Sequence, residues 1–145
     1  MPNEGVEILL VEDNDDDVDL TLRALASGHV TNRVHVCRDG AEALDFLFGE
    51  TDAGPRALPK LILLDLKLPL VDGIEVLRRI KADPRTNMIP VVVLTSSREE
   101  SDLVKTYQLG TNSFIVKPVD FEQFTSAVQQ VGFYWLLLNQ PPTPS

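Results

Sequence analysis

The sequence predicts an α/β protein with a single doubly wound, five-stranded parallel sheet and five helices in 145 residues. Four short runs of mainly Val, Ile and Leu show no alternation with polar residues, which is expected of strands buried on both faces. Helical patterns separate these runs, and alternating strands and helices build parallel sheets. The four runs are Ile8–Val11, Leu61–Leu64, Val91–Leu94 and Phe114–Val116.

The first half of the chain contains two predicted strand–helix units. Asn14 and the three aspartates after it supply an N-cap and favourable negative charge for a helix that extends to about Gly28. A second strand is predicted around 34–37, and the next helix follows Gly40. The apolar residues at helical spacing are Val18, Leu22 and Leu25 in the first helix and Ala43, Leu44, Leu47 and Phe48 in the second.

The second half continues the alternation after a loop, which the Gly, Pro and charged residues of 49–59 predict. The third helix begins near Gly73 and ends at Asp83-Pro84, because proline cannot continue a helix. A fourth helix is predicted within 97–110. The apolar positions of the third helix are Ile74, Leu77 and Ile80.

The last predicted helix runs from about Phe121 to Leu138 and closes one domain over residues 1–138. Its final two turns are apolar almost all round, a pattern expected of a helix that is covered on both sides. A second copy of the chain is the simplest cover and predicts a homodimer. The alternative is that the end of the helix folds back and the Pro-rich tail, residues 139–145, covers it. The predicted interface residues are Phe133, Tyr134, Leu136 and Leu137.

Composition indicates an ordinary globular protein, since 43% of the residues are hydrophobic and 24% are charged. The net charge of −9 argues against nucleic acid or an anionic membrane as a direct partner, because both require a positive surface. No apolar stretch reaches the roughly eighteen residues of a membrane span. The single cysteine, Cys37, excludes an internal disulfide, and we expect a cytoplasmic protein in which it packs in the core.

Polar side chains stand directly after each of the four apolar runs. They are Glu12 and Asp13, then Asp65, then Thr95, then Lys117. Residues beyond the carboxyl ends of parallel strands gather at one edge of the sheet, where α/β proteins bind ligands. Each motif alone is also typical of an N-cap or a turn, but together they predict one site.

The chemistry of this site favours a divalent cation and a phosphoryl group. Neighbouring carboxylates repel one another, and a cation relieves the repulsion. Mg²⁺ fits best because it prefers oxygen ligands and phosphate, whereas zinc requires a Cys/His cluster at metal spacing that the sequence lacks. The ammonium of Lys117 and the hydroxyl of Thr95 complete a pocket in which the nearest aspartate attacks phosphorus and carries an acyl phosphate.

Other polar residues invite different interpretations. His29 and His35 are candidate phosphocarriers, but neither lies near the predicted edge, so packing or surface roles are favoured. The acidic run Asp15–Asp17 lacks the Gly and the terminal Glu of a calcium loop, which favours a solvated helix start.

These motifs resemble the receiver domain of response regulators, the phosphoacceptor module of two-component signalling, over residues 6–138. The motifs are Leu10–Asn14, Leu64–Pro69 with Asp72-Gly73, Leu94–Ser96 and Phe114–Pro118. The resemblance implies a flavodoxin-like sheet of strand order 2-1-3-4-5. It also implies a signalling protein that catalyses its own phosphorylation and dephosphorylation and is not a turnover enzyme.

The resemblance further implies roles for individual residues. Asp65 is the phosphoacceptor, and Asp13 is a direct Mg²⁺ ligand. Glu12 holds the ion mostly through water, and Asp65 and the backbone carbonyl of Lys67 complete the protein ligands.

Two phosphoryl contacts and a switch follow from the same resemblance. Thr95 and Lys117 bind the phosphoryl oxygens, and Thr95 forms a switch with Phe114, which replaces the Tyr of many family members. A cis peptide bond is implied before Pro118.

A narrower resemblance links the chain to stand-alone regulators of phytochrome-type histidine kinases. It rests on the charged loop 49–59, the helix end Lys81–Pro84 and the aromatic close Phe133–Trp135. It implies a sensor histidine kinase as partner, and signalling through protein contacts or a phosphorelay.

Two other functions share parts of the pattern. A Mg²⁺-dependent phosphatase with an aspartyl nucleophile requires a second Asp two residues later, where this chain has Lys67. A flavin carrier requires a hydroxyl-rich phosphate loop after the first strand, where this chain has the acidic segment Glu12–Asp16.

Overall fold

A computed structural model describes residues 7–30, 32–51, 54–55, 57–96 and 113–131 of the chain. Its centre is a five-stranded parallel sheet with helices on both faces, which confirms the predicted fold. In chain order the elements are β1 (Ile8–Val11), α1 (Asp15–Ser27), β2 (Val34–Cys37), α2 (Gly40–Phe48), β3 (Glu50–Thr51), β4 (Gly54–Pro55), β5 (Leu61–Asp65), α3 (Gly73–Ala82), β6 (Val91–Thr95), β7 (Ser113–Val116) and α4 (Phe121–Val131).

The sheet strands lie in the order β2-β1-β5-β6-β7, and every neighbouring pair is parallel. Strands β3 and β4 form a separate hairpin, so the five sheet strands follow the predicted order 2-1-3-4-5. Val11 lies opposite both Cys37 and Leu64, and Thr95 lies opposite Val116. The strands therefore end together, and the residues after them leave the sheet at one edge.

Burial explains why the apolar runs show no alternation. Every residue of β1, β5 and β6 is buried, because helices cover both faces of the sheet. One face packs against α2 and α3 and the other against α1 and α4. Alternate residues serve the two faces: Leu9 and Val11 belong to the first core cluster, and Ile8 and Leu10 belong to the second.

Side-chain caps begin all four helices that the structure describes. The side chains of Asn14, Asp39, Asp72 and Asp120 each accept a hydrogen bond from the backbone N–H three residues later, at 2.9, 2.7, 3.0 and 2.8 Å. Each cap satisfies one of the backbone donors that a helix leaves unpaired in its first turn. The predicted N-cap of α1 is therefore confirmed.

The buried face of α1 differs from the predicted stripe. Val18 and Leu25 are buried as expected, but Leu22 is 36% exposed and was wrongly assigned to the core. Thr21 and Ala24 occupy the buried face instead. The buried stripe of α1 therefore includes one polar and one small residue, which a purely hydrophobic pattern does not mark.

Residues 49–59 differ from the predicted loop because they contain the hairpin of β3 and β4. Glu50 lies opposite Pro55, and Thr51 lies opposite Gly54. Gly54 has a φ of 105°, a conformation that glycine adopts without steric cost. Strands of two residues are too short to show periodicity in the sequence.

Some expectations concern residues outside the described ranges. They include the fourth helix within 97–110, the part of the last helix beyond Val131 and the tail at 139–145. The predicted interface residues Phe133, Tyr134, Leu136 and Leu137 also lie there. Within the described ranges, no helix has the length and hydropathy needed to cross a membrane.

Candidate functional site

Three carboxylates meet at the carboxyl edge of the sheet. Glu12 and Asp13 follow β1, and Asp65 is the last residue of β5. One oxygen from each lies within 4.8 Å of the other two. Glu12 and Asp65 are buried, with 0% and 2% exposure, whereas Asp13 is exposed. The structure brings the three predicted carboxylates together and leaves one of them open to solvent.

Backbone packing holds the two buried carboxylates in place. The Glu12 N–H donates to the Cys37 carbonyl at 2.9 Å, and the Glu12 carboxylate accepts from the Asn14 N–H at 3.2 Å. Helix α3 packs directly on the backbone of Asp65, since a Cβ at Gly73 would lie 2.4 Å from the Asp65 carbonyl oxygen. A residue larger than glycine at position 73 would displace α3 or the end of β5.

The Lys117 ammonium contacts three carboxylates. Its Nζ lies 3.3 Å from Glu12 Oε1, 3.3 Å from Asp65 Oδ2 and 3.1 Å from Asp17 Oδ2. The Lys117 N–H donates to the Thr95 carbonyl at 2.7 Å, and the peptide bond to the following proline is cis, as predicted. The lysine side chain is only 16% exposed, so solvent screens these contacts weakly.

Asp17 was not among the predicted site residues. It lies in the first turn of α1, where its charge was expected only to favour the helix start. Its carboxylate is nevertheless the nearest of the three to Lys117 Nζ, and its side chain is 26% exposed compared with 86% for Asp15. One signal was available in the sequence: Asp17 lies one helical turn beyond Asp13, on a helix that begins at the site.

Thr95 ends β6 and is fully buried, yet its hydroxyl has no hydrogen-bond partner among the described residues. An unpaired buried hydroxyl costs about 1–3 kcal/mol. Such a group is expected where a ligand oxygen supplies the partner, which suits the predicted contact with a phosphoryl group.

Phe114, the predicted switch aromatic, lies on the strand next to Thr95. It is opposite Val93, while Val116 is opposite Thr95. Because side chains two residues apart on a strand share a face, Thr95 and Phe114 lie on the same face of the sheet. Phe114 is partly buried against the core cluster beside α2 and α3.

A groove of about 570 Å³ opens beside the carboxylates. Asp13 and the loop between β5 and α3 line it, and this loop includes Lys67, a predicted metal ligand through its carbonyl. The Lys67 N–H donates to Asp65 Oδ1 at 3.3 Å. The groove brings solvent to Asp13 and to the residues that directly follow Asp65.

The surroundings shift the protonation of two groups. Burial, together with the hydrogen bond and the charge of Asp65, raises the pKa of Glu12 from 4.5 to about 7. Burial alone would lower the pKa of Lys117, but the charges of Asp65 and Glu12 outweigh it and raise the pKa above its usual value. The lysine is therefore a permanent cation, while Glu12 exchanges a proton near neutral pH.

We expect the cation-free protein to lose stability as the pH rises from about 4.5 to about 7. In this window the folded state retains a proton on Glu12 that the unfolded state has released, so a rising pH favours unfolding. The shift corresponds to at most ~3 kcal/mol. Urea unfolding in EDTA should show the decline in the wild type and a flatter profile in Glu12→Gln. A Glu122→Gln control should keep the wild-type slope, and an unchanged slope in Glu12→Gln would contradict the assignment.

A second group of potential metal ligands is better explained by packing. Ligand atoms of His35, Cys37 and Glu42 lie within 4.8 Å of one another. Cys37 is buried in the core cluster, and the His35 ring stacks on Phe46 at a centroid distance of 4.4 Å. His29 follows the end of α1 that is remote from the carboxyl edge. None of these contacts supports a phosphocarrier role for either histidine.

The donor set fits a hard divalent cation and a phosphoryl group. Glu12, Asp13 and Asp65 offer only oxygen ligands, and the exposure of Asp13 leaves space for water or phosphate oxygens. Lys117 supplies a fixed positive charge, and Thr95 supplies a hydroxyl without another partner in the described residues. These are the groups that stabilise phosphoryl oxygens.

Comparisons with known proteins agree with this geometry. The family model described as "Response regulator receiver domain" matches residues 8–129. The chain is 45% identical over 138 residues to FilR2 of Methanothrix harundinacea, a probable methanogenesis regulatory protein, with 95% of this chain and 88% of FilR2 covered.

Solved structures give the same result. The bacteriophytochrome response regulator AtBRR matches with a TM-score of 0.85 and 53% identity, with 95% of this chain and all of AtBRR covered. The Mn²⁺-bound form of the response regulator Rcp1 matches with a TM-score of 0.69 and 38% identity, with 95% of this chain and 98% of Rcp1 covered.

Proposed function

Because the chain belongs to the family of response-regulator receiver domains, we propose that it accepts a phosphoryl group on Asp65 and transmits a signal in this form. The observation that carries the proposal is the contact of 3.3 Å between Asp65 Oδ2 and Lys117 Nζ, beside two further carboxylates. A nucleophilic oxygen, a fixed positive charge and a potential cation site then lie together, beside a groove that Asp13 lines.

In the proposed reaction, a carboxylate oxygen of Asp65 attacks the phosphorus of a phosphohistidine. A bond forms between this oxygen and phosphorus, the P–N bond breaks, and its electron pair stays on the leaving imidazole, which takes a proton from solvent. The product is an acyl phosphate. Water later attacks the same phosphorus, the acyl oxygen leaves with the electron pair of its P–O bond, and inorganic phosphate and the Asp65 carboxylate result.

We propose Mg²⁺ as the resident cation. Glu12, Asp13, Asp65 and the Lys67 carbonyl would hold it, and when bound it would neutralise charge on the transferring phosphoryl group. The Mn²⁺ in the Rcp1 structure supports a divalent cation with a preference for oxygen ligands. Lys117 and Thr95 would bind phosphoryl oxygens.

The proposed phosphodonor is a sensor histidine kinase of the phytochrome type, which the 53% identity to AtBRR supports. We place the chain in the cytoplasm, where it would act through protein contacts or pass the phosphoryl group on. It would catalyse only its own phosphorylation and dephosphorylation, without metabolic turnover. The phosphatase alternative lacks support, because Lys67 stands where the second carboxylate is required.

The test is intact mass spectrometry after incubation with acetyl phosphate and MgCl₂. The wild type should gain the mass of one phosphoryl group, and EDTA added before the donor should prevent the gain. A wild type that stays unmodified with donor and cation present would refute the proposed function.

Thr95→Ala is expected to leave Asp65 able to accept the phosphoryl group but to remove the response of Phe114. Without the hydroxyl, the phosphoryl group no longer draws β6 towards it, and the space that Phe114 would enter is not vacated. Coupling of this kind typically changes the affinity for a partner by about 5–150-fold. In the wild type, beryllofluoride should change the rate of hydrogen exchange at β7. A Ser96→Ala control should show the same change. A wild-type response in Thr95→Ala would rule the switch out.

The homodimer remains a prediction that rests on the sequence of the last helix. Sedimentation equilibrium should show association of the wild type and its loss in a Phe133→Glu/Leu137→Glu variant, because a charge at an apolar contact is costly. A wild type that stays monomeric at tens of micromolar, phosphorylated or not, would contradict the dimer.

A further inference from the structure

We propose that Asp17 is a positioning residue for phosphoryl transfer: from α1 it holds the Lys117 ammonium beside Asp65, so that the ammonium is in place when the phosphoryl group arrives. The inference rests on the proposed role of Asp65 and adds a residue that the motifs of the family resemblance do not include.

The geometry around the ammonium is the first support. Lys117 Nζ has three N–H donors and three carboxylate partners, and Asp17 Oδ2 is the nearest of these at 3.1 Å. Glu12 and Asp65 approach from the ends of β1 and β5, whereas Asp17 approaches from the first turn of α1. The ammonium is therefore fixed from two directions.

The second support is that Asp17, unlike the other two carboxylates that contact Lys117, has no further role in the proposed reaction. Glu12 and Asp65 belong to the carboxylate trio that would hold a cation, and Asp17 does not. Once Asp65 carries a phosphoryl group, its negative charge resides on the phosphoryl oxygens, and Lys117 must follow it there. Of the three contacts of the ammonium, the one with Asp17 is not changed by any step of the proposed reaction.

The third support is the rigid attachment of Asp17. Its backbone N–H donates to the Asn14 side chain at 2.9 Å, and the next residue, Val18, is 5% exposed in the core cluster of α1 and α4. The carboxylate is thus carried by a capped and packed helical turn. Lysine has a flexible four-carbon stem, so without this anchor the ammonium would be held less firmly in its position beside Asp65.

The experiment compares Asp17→Asn with Asp16→Asn, which removes the same charge from an exposed neighbour in the same turn. With acetyl phosphate and MgCl₂ at fixed concentrations, Asp17→Asn should be labelled about tenfold more slowly, the effect expected for one charge-assisted contact. Asp16→Asn should keep the wild-type rate. Asp17→Glu, which retains the carboxylate, should recover most of the loss, and thermal unfolding should show that all variants fold.

A double-mutant cycle with Lys117→Met separates positioning from a general structural role. If Asp17 acts through Lys117, adding Asp17→Asn to Lys117→Met should slow labelling no further. Equal slowing in both backgrounds, or a wild-type rate for Asp17→Asn, would overturn the inference while leaving the role of Asp65 intact. A wild type that is not labelled at all would overturn both.

Discussion

Asp65→Asn is expected to abolish phosphoryl labelling while leaving the fold intact. The carboxamide has nearly the shape of the carboxylate but lacks a nucleophilic oxygen that can form a stable acyl phosphate. Loss of a nucleophile costs many orders of magnitude, so labelling should fall at least about a thousandfold. The fold should survive because the change also removes one of the two buried negative charges beside Lys117.

Acetyl phosphate, MgCl₂ and intact mass spectrometry provide the measurement. Asp45→Asn, the same chemical change on the exposed face of α2, should be labelled like the wild type. Circular dichroism and thermal unfolding should show that Asp65→Asn is folded. Labelling that persists in this variant would place the phosphoryl group on another residue.

Lys117→Met should slow labelling by about a hundredfold, the loss expected when one fixed group that stabilises developing charge is removed. Methionine retains much of the apolar stem of lysine but not the ammonium that contacts Glu12, Asp17 and Asp65. The remaining carboxylates would then repel an incoming phosphoryl group unless a cation screens them.

A matched control is Lys60→Met, because Lys60 also pairs with a glutamate but is half exposed and lies at the start of β5, remote from the site. Its labelling rate should equal that of the wild type. Higher MgCl₂ should restore only part of the rate of Lys117→Met, since a cation held by the carboxylates would not replace the ammonium contact of Asp65. A wild-type rate in Lys117→Met would exclude Lys117 from the reaction.

Much of the fold and the grouping of most candidate site residues could be predicted because both follow from one property of parallel strands. Strands buried on both faces carry unbroken apolar runs, and their shared direction places Glu12, Asp65 and Thr95 at one edge. Each of these residues can be recognised as a site candidate from the apolar run that precedes it.

Asp17 could not be found in the same way, because its partner lies 100 residues later in the chain. Its local sequence is that of a helix start, and that interpretation is also correct. The buried Thr21 and the exposed Leu22 were equally hidden, since the covered face of α1 depends on how the helix packs and not on polarity alone. Local patterns predict elements, whereas these details depend on how the elements meet.

Because the site forms where several strands end, it can be completed only late in the synthesis of the chain. Glu12 and Lys117 are separated by 105 residues, and their contact cannot close until β7 has left the ribosome and joined β6. Contacts of such long range require the intervening chain to be ordered first. A nascent chain that already contains Asp65 therefore lacks the complete site, and we expect efficient phosphorylation only once the sheet is complete.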